Sequence, residues 1–438
     1  MLRKFLIIVL LISACAGISF AQDSVTVYSL DRALLTAKQN NSELVNAKLD
    51  KMKAERKVSE VYSENLVPTM TLNSQYIRAF KKQVFDIFGQ RYEIGTDNQI
   101  INSLQVTEPI PVLGTPVFQG INIAEEYTNL QSENVSYAEA KISAEVKKSY
   151  YNVLFLKELV NVRKLNLQNA LDNYDVVEKR YRNGTTTEFE YLRAKVLVEN
   201  IKPNVLEAEN NLEISKLVLK NSMGLKDNKP IDVSGTLSYD SLEVFGSTDE
   251  LINHISENNV SVRQLRINQN INRELLAIDN ANFLPKLYLF GSFNLQSAED
   301  DGRTFGGYRY FNVINAGIGL TWDLNIFRNT YKKQQTQIEI KKTDETLADV
   351  KQKLRLKSTG VLLKIEEAKK KVISNTETVR LAERSYELAS ASFRNGVINQ
   401  IDVTDAGVQL SNSRLGYYSA VLEYLLARTE LEELLEKK

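Results

Sequence analysis

Residues 170–194 read ALDNYDVVEKRYRNGTTTEFEYLRA, and residues 382–406 read AERSYELASASFRNGVINQIDVTDA. The two stretches align without a gap at an offset of 212 residues. Tyr174 then falls on Tyr386, Tyr181 on Phe393, and Arg182-Asn183-Gly184 on Arg394-Asn395-Gly396. Each reads as the end of a helix, a sharp turn at about 182–186 or 394–398, and the start of a return helix. Glycine at such a turn supplies left-handed backbone. A single identity between helical segments means little, but the same tripeptide at the same place in two long patterns marks an internal duplication.

Working outward, earlier elements also repeat. Asn41 corresponds to Asn258 and Pro68 to Pro285, at an offset of 217. Each half reads as helix, strand, loop, strand, long helix, turn, helix. The first repeat is assigned to 22–223 and the second to 248–438. The segment 224–247 between them holds Gly224, Asn228, Pro230, Gly235 and Gly246, a turn-rich linker with a short strand at Ile231–Val233. The opening helix of the first half is expected over about 30–64 and stops before Pro68. Its counterpart spans about 248–282, breaks near Asn258 and Asn259, and ends before Pro285.

The helices leading to the two turns are unusually long. From about 119 to 182 there is no proline, and Ile142, Val146, Tyr150, Val153, Leu156 and Val160 keep a spacing of three or four. From about 331 to 394 there is again no proline, and only Gly360 interrupts. A helix of roughly 64 residues is on the order of 100 Å long, far beyond what ordinary globular domains build. Return helices are expected over about 188–223 and 400–436. The second carries Val403, Leu410, Leu415, Tyr418, Val421, Leu422 and Leu425 on a broad apolar stripe.

Between the helices of each half lie segments that alternate with period two: about 69–76 and 99–107, then 286–295 and 312–324. Met70, Leu72, Ser74 and Tyr76 share one parity, as do Ile100, Leu104 and Val106, and Leu287, Leu289, Phe293 and Leu295. Ile314, Ala316, Ile318, Leu320, Trp322 and Leu324 complete the set, and the opposite parity is mostly uncharged polar or glycine. Segments of about 8 to 11 residues with this pattern suit tilted membrane strands. Trp322, near the end of its strand, sits where aromatic rings mark the headgroup level. Four strands cannot close a barrel, and lipid does not tolerate open sheet edges. Strands pooled between subunits are therefore expected, and three copies would supply twelve. The loops at 77–98 and 296–311 lie opposite the helices, and either narrow a mouth or connect the strands.

Composition narrows the function. The chain has 438 residues, of which 43% are hydrophobic and 25% charged, with 55 basic and 55 acidic side chains. A zero balance argues against a nucleic-acid partner. Arg3, Lys4 and a short apolar run read as an export signal, too short to span a bilayer. Cleavage after Ala21, giving a signal peptide of 1–21, is preferred for its small flanking residues. The alternative is a lipoprotein signal ending before Cys15, which would leave Cys15 acylated. His254 is the sole histidine and Cys15 the sole cysteine, so a structural zinc site has little support. No phosphate-binding loop, dinucleotide fingerprint or nucleophile elbow is present. No cofactor, metal or catalytic residue is expected, and the chain reads as a non-enzyme.

Taken in order, these features resemble the bacterial outer-membrane efflux proteins of the channel-tunnel type. The resemblance covers about 29–436. It rests on Leu30-Asp31-Arg32-Ala33-Leu34 with Asn40-Asn41 and Leu44, on Pro68 and Pro285 before the strands, on the repeat, and on the two Arg-Asn-Gly turns. It implies a mainly α-helical protein with membrane β-strands: a duplicated α-helical barrel plus four transmembrane strands per subunit, completing a twelve-stranded barrel as a homotrimer. The location implied is the outer membrane and its lipid, with a long periplasmic extension. The implied partners are a periplasmic adaptor protein and an inner-membrane efflux or ABC-type pump. Drug or metal efflux and type I protein secretion both fit that layout, and a soluble periplasmic coiled-coil scaffold is the reading from a different class.

Within the resemblance, Asp402 and Asp405 match acidic residues that ring the closed periplasmic mouth, and Glu190 is the repeat partner of Asp402. The turns Arg182, Asn183, Gly184 and Arg394, Asn395, Gly396 are the expected adaptor-docking tips. Acids in the first turn of a helix are also favourable without any gate. One position departs from the family: Ile398 stands where relatives often carry a latching arginine, and Arg394 and Arg182 are the nearby substitutes.

Overall fold

The computed structural model describes residues 25–239 and 247–436. The signal assignment at 1–21, its Cys15 alternative and part of the linker lie outside them. The chain divides into two compact units. One, the helical unit, comprises Met1–Val45, Tyr137–Ile255 and Arg355–Lys438; the other, the sheet unit, comprises Asn46–Ser136 and Ser256–Leu354.

The helical unit contains β1 (Thr26–Tyr28) and α1 (Leu30–Asn40), and the first residues of α2 (Ser42–Leu66). It takes most of α3 (Val117–Arg182), all of α4 (Glu188–Ser222) and β6 (Ile231–Val233), and most of α5 (Thr248–Asn258). The C-terminal part of α7 (Ile326–Arg394) and all of α8 (Gln400–Leu434) complete it. Numbering in the sheet unit runs β2 (Thr69–Arg78), β3 (Gln83–Ile87), β4 (Gln90–Ile94) and β5 (Asn98–Ile110), then α6 (Val260–Ala281), β7 (Lys286–Glu299) and β8 (Phe311–Thr321).

The apolar spacing on α3 becomes a core. Ile142, Val146, Tyr150, Val153 and Val160 are buried, as are Val361, Ile365 and Val372 of α7 and Val421, Tyr424, Leu425 and Leu431 of α8. Leu156, on the margin of that stripe, is only half-buried. Beside this core, β1 and β6 pair in parallel, Thr26 to Ile231 through Tyr28 to Val233. The buried Tyr150 hydroxyl reaches the carbonyls of both Tyr28 and Ser234. Lys157 donates to the Asp232 carboxylate at 3.1 Å and to the Val233 carbonyl at 2.9 Å. Burial pushes Asp232 upward, but its hydrogen bonds from Lys157 and Val233 outweigh that and hold it below the ordinary carboxylate range.

Two helix boundaries differ from the sequence reading, and one return helix of the expected extent holds an internal proline. The opening helix of the first half is two helices, broken at Asn41, whose side chain accepts from Glu43 N at 2.9 Å and donates to the Ser222 carbonyl at 3.0 Å. Its structural equivalent is Asn259, between α5 and α6, which accepts from Ser261 N at 3.1 Å. The long helix α3 starts at Val117 and carries Gly120 in its first turn. The return helix α4 runs through Pro203, where a helical N–H is missing.

In the sheet unit the four long strands form one antiparallel sheet in the order β2-β5-β7-β8. Register aligns like with like. Leu72 lies opposite Leu104, Leu104 opposite Phe293, and Phe293 opposite Ile314, an apolar row across the sheet. On the other face Thr71, Gln105, Ser292 and Asn315 form the corresponding polar row. The apolar row is uncovered within the described chain: Leu72 is 71% exposed and Ile314 74%.

The strands are longer than their expected extents except β8, which ends at Thr321. Trp322 lies just beyond it and donates from Nε1 to the Phe283 carbonyl at 3.2 Å. The glycines of β8 are receptors for rings as well as polar-face spacers. A Cβ at Gly319 would lie 2.2 Å from Tyr288 Cζ, and one at Gly317 would lie 3.0 Å from Phe290 Cζ. The 77–98 loop contains a hairpin, β3 with β4, pairing Phe85 with Tyr92. Its base is tied to the 296–311 loop by Lys82 to Asp300 at 2.6 Å and Arg78 to Asp301 at 2.9 Å.

The β1–β6 pair gives the first prediction. Tyr150→Phe strips the hydroxyl from two carbonyls, a loss of about 1–3 kcal/mol, and should lower the thermal unfolding midpoint. The Asp232 carboxylate has a depressed folded pKa, so its stabilisation is complete above the unfolded value of about 4. It is lost as pH falls through the lower folded value. Lys157→Met should therefore cost stability at neutral pH and flatten the acid limb of a midpoint-versus-pH curve.

Candidate functional site

The two Arg-Asn-Gly turns, both in the helical unit, share one backbone geometry. Gly184 has φ +69° and Gly396 has φ +74°. At the first turn Thr185 N donates to the Arg180 carbonyl at 2.8 Å and Gly184 N to the Tyr181 carbonyl at 3.0 Å. At the second, Val397 N donates to the Ser392 carbonyl at 2.9 Å and Gly396 N to the Phe393 carbonyl at 2.9 Å. These bonds satisfy the last carbonyls of α3 and α7 and require left-handed backbone at the glycine.

The next helices begin with matching caps. Thr187 Oγ1 accepts from Glu190 N at 3.3 Å, and Asn399 N donates to Asp402 Oδ2 at 3.2 Å. Glu190 and Asp402 thus occupy the same place in the two halves, the third residue of a return helix. Asp402 is engaged in capping, a structural duty independent of any gate. Asp402 and Asp405 are both exposed, one turn apart on α8, and among the described residues neither forms an ion pair.

Both tips of one chain share a small core. Val177 of α3, Ala194 of α4, Phe393 of α7 and Val403 of α8 are buried together, with Tyr174, Tyr191 and Ile398 packed against them. Ile398 therefore makes an apolar contact where the family resemblance led one to look for a charged latch. The Tyr174 and Tyr191 hydroxyls are 3.2 Å apart, and that hydrogen bond, with burial, pushes Tyr174 up to about 12. The Tyr181 and Tyr191 rings stack at 5.0 Å.

The polar link between the tips is a residue that the sequence did not single out. Arg180 Nη2 donates to the Phe393 carbonyl at 2.7 Å, and its guanidinium lies over the Phe393 ring at 4.7 Å from the centroid. Arg182 and Arg394 stay on their own helices, Arg182 with Glu178 at 2.8 Å and Arg394 with Ser390 at 3.3 Å. The repeat partner of Arg180 is Ser392, so the duplication carried no signal for it. Asn183 and Asn395 are exposed at the turns.

The tips combine an aromatic and aliphatic core with capping carboxylates. Among the described residues no group of His, Cys, Asp and Glu is placed to hold a metal, and no helix is long and apolar enough to cross a membrane. The surface suited to lipid is the apolar face of the four-stranded sheet.

Comparison with known proteins bears on the fold as a whole. The Escherichia coli outer membrane protein TolC is 20% identical over 98% of this chain and 85% of its own length. The cobalt-zinc-cadmium resistance protein CzcC of Cupriavidus metallidurans is 23% identical over 76% of this chain and 77% of its own. The structure of the open state of the Neisseria gonorrhoeae MtrE outer membrane channel superposes with a TM-score of 0.76 at 17% identity, covering 93% of this chain and 88% of that one. The family model described as "Outer membrane efflux protein" matches residues 33–225 and 251–436, nearly all of both halves, and the chain belongs to that family.

Proposed function

We propose that three copies of this chain form the outer-membrane exit duct of an efflux system, a passive path for solutes delivered by an inner-membrane pump through a periplasmic adaptor. The observation that carries this is the sheet of the sheet unit. It has four long strands, an uncovered apolar face, a polar opposite face, and two unpaired edges at β2 and β8. An edge in lipid leaves N–H and C=O groups without partners at a cost of several kcal/mol each. Pairing β8 of one copy with β2 of the next removes every edge, and three copies give twelve strands with the polar face turned inward.

The helices support the same assembly. Leu192, Val196, Leu206 and Leu217 of α4 and Leu356, Leu363, Leu381 and Leu388 of α7 are exposed in the single chain. Rows of this kind mark surfaces awaiting a partner, and neighbouring copies would cover them.

At the tips, three copies would gather Asp402, Asp405 and Glu190 into carboxylate rings. Repulsion among them favours cations and opposes tight closure. Arg180 holds the two tips of one chain together and takes the place of a latch at Ile398. The turns at Arg182, Asn183, Gly184 and Arg394, Asn395, Gly396 present exposed backbone and side chains for adaptor docking.

Three measurements test this. The purified protein should run as a heat-modifiable trimer in detergent, and recovery of a monomer without that behaviour would overturn the assembly. Asp402→Asn with Asp405→Asn should lower cation preference in single-channel recordings; an unchanged reversal potential removes the carboxylate gate. Arg180→Gln should raise resting conductance several-fold with the trimer intact, whereas a wild-type trace would leave Arg180 a purely structural contact.

A further inference from the structure

Above the tips, the helical unit forms a partly open cleft of about 210 Å³ bounded by α3, α4, α7 and α8 of one chain. That is below the roughly 300 Å³ at which pockets for drug-sized ligands begin. Its lining is unlike the rest of the helical interior. Arg163, Asn166, Asn169 and Asn173 face it from α3, at intervals that put them on one helical face. Asn204 of α4 and Thr404, Ser411 and Asn412 of α8 close it from other sides. No Asp or Glu lines it.

Thr404 donates to the Gln400 carbonyl at 3.0 Å, but most of the other polar groups lack partners within the chain. Among the described residues none of the five asparagine side chains makes a hydrogen bond, and Arg163 makes no ion pair. Ser411, 6% exposed, has a buried hydroxyl with no partner. Asn173 is buried too, Arg163, Asn166 and Asn169 are half-buried, and Asn204 and Asn412 are exposed at the rim. Buried polar groups in proteins are normally satisfied, so the inner part of this lining has hydrogen bonds to give. The amides offer donors and acceptors alike, so the bias toward an anion comes from the Arg163 guanidinium, which only donates and carries the one charge in the lining.

Apolar surface completes the wall: Leu197, Ile201, Val403 and the ring of Tyr386. Tyr386 packs beside Gly407 of α8, where a Cβ would make an ordinary contact with the ring at 3.4 Å. Burial, with nearby Asp172, pushes the Tyr386 hydroxyl upward, which keeps it a donor. The feature belongs to one repeat alone. At the 212-residue offset, Arg163, Asn166, Asn169 and Asn173 fall on Asn375, Thr378, Leu381 and Ser385.

We propose that this cavity is a binding site for a small organic monocarboxylate, with Arg163 and the asparagine amides on the carboxylate and Tyr386, Leu197 and Val403 around the apolar body. An inorganic oxyanion would use the donors and leave the apolar wall unfilled. The site is independent of the channel reading, because it is lined by helices of a single chain and its occupancy is measured without transport.

The test is calorimetric titration of benzoate into the full-length protein in detergent, with inorganic phosphate titrated separately. Saturable binding of one benzoate per chain is expected, weakened by at least about tenfold in Arg163→Gln, the scale of a lost charge-assisted hydrogen bond. Arg163→Lys should retain part of the affinity, and unfolding midpoints of both variants should match the wild type. Absence of benzoate binding to the wild type overturns the proposal, as does equal binding to Arg163→Gln. Saturable phosphate binding with none of benzoate overturns the class of ligand.

Discussion

A strand in lipid must hydrogen-bond every backbone group, and the β2-β5-β7-β8 sheet leaves two edges undone. The rest of the protein follows from that debt. Two edges of opposite position on one sheet are complementary, so the least costly remedy is another copy of the same chain. The register is already prepared for it: the apolar row through Leu72, Leu104, Phe293 and Ile314 and the polar row through Thr71, Gln105, Ser292 and Asn315 keep their faces from edge to edge. A neighbour added in register extends both rows. The exposed leucines of α4 and α7 place the helical part of the chain under the same requirement, for hydrophobic instead of hydrogen-bonding reasons.

The tips obey local rules first and global ones second. A helix ending at Gly184 or Gly396 needs left-handed backbone, and the next helix needs its early N–H groups capped. Those needs account for the shared Arg-Asn-Gly and for Asp402 without reference to a channel. What lies beyond them is the contact between tips: one apolar core built from four helices, and Arg180 bonded to carbonyls at the end of α7. Such a contact ties the two tips of one chain together with an isoleucine at position 398, since the restraint comes from a cation on the first tip instead of the second.

Duplication explains both the legibility of the fold and its gaps. Where the halves agree, as at Pro68 and Pro285 or at the two glycines, the pattern could be read with no structure at all. Asn41 was read as lying inside a continuous helix, although its match to the break near Asn258 and Asn259 was the available signal. Where the halves diverge, sequence gave little guidance. Arg180 falls on Ser392, and the asparagine face of α3 falls on a mixed face of α7. The hairpin inside 77–98 was hidden because its charges and aromatics follow no long alternation.

The sequence by itself determined the periodic elements: two very long helices, which the structure extends to 66 and 69 residues, strands with one apolar face, and turns that demand glycine. These are properties of neighbours along the chain, where spacing, capping and backbone sterics act over a few residues. Only the tertiary structure decided which side chains meet across helices and strands. It put Tyr288 and Phe290 on the glycines of β8, Arg180 on the carbonyls of the other tip, and unpaired asparagines around a partly open cleft. Those contacts join residues as much as 213 positions apart, and no local pattern of polarity specifies which distant partner a polar side chain will find.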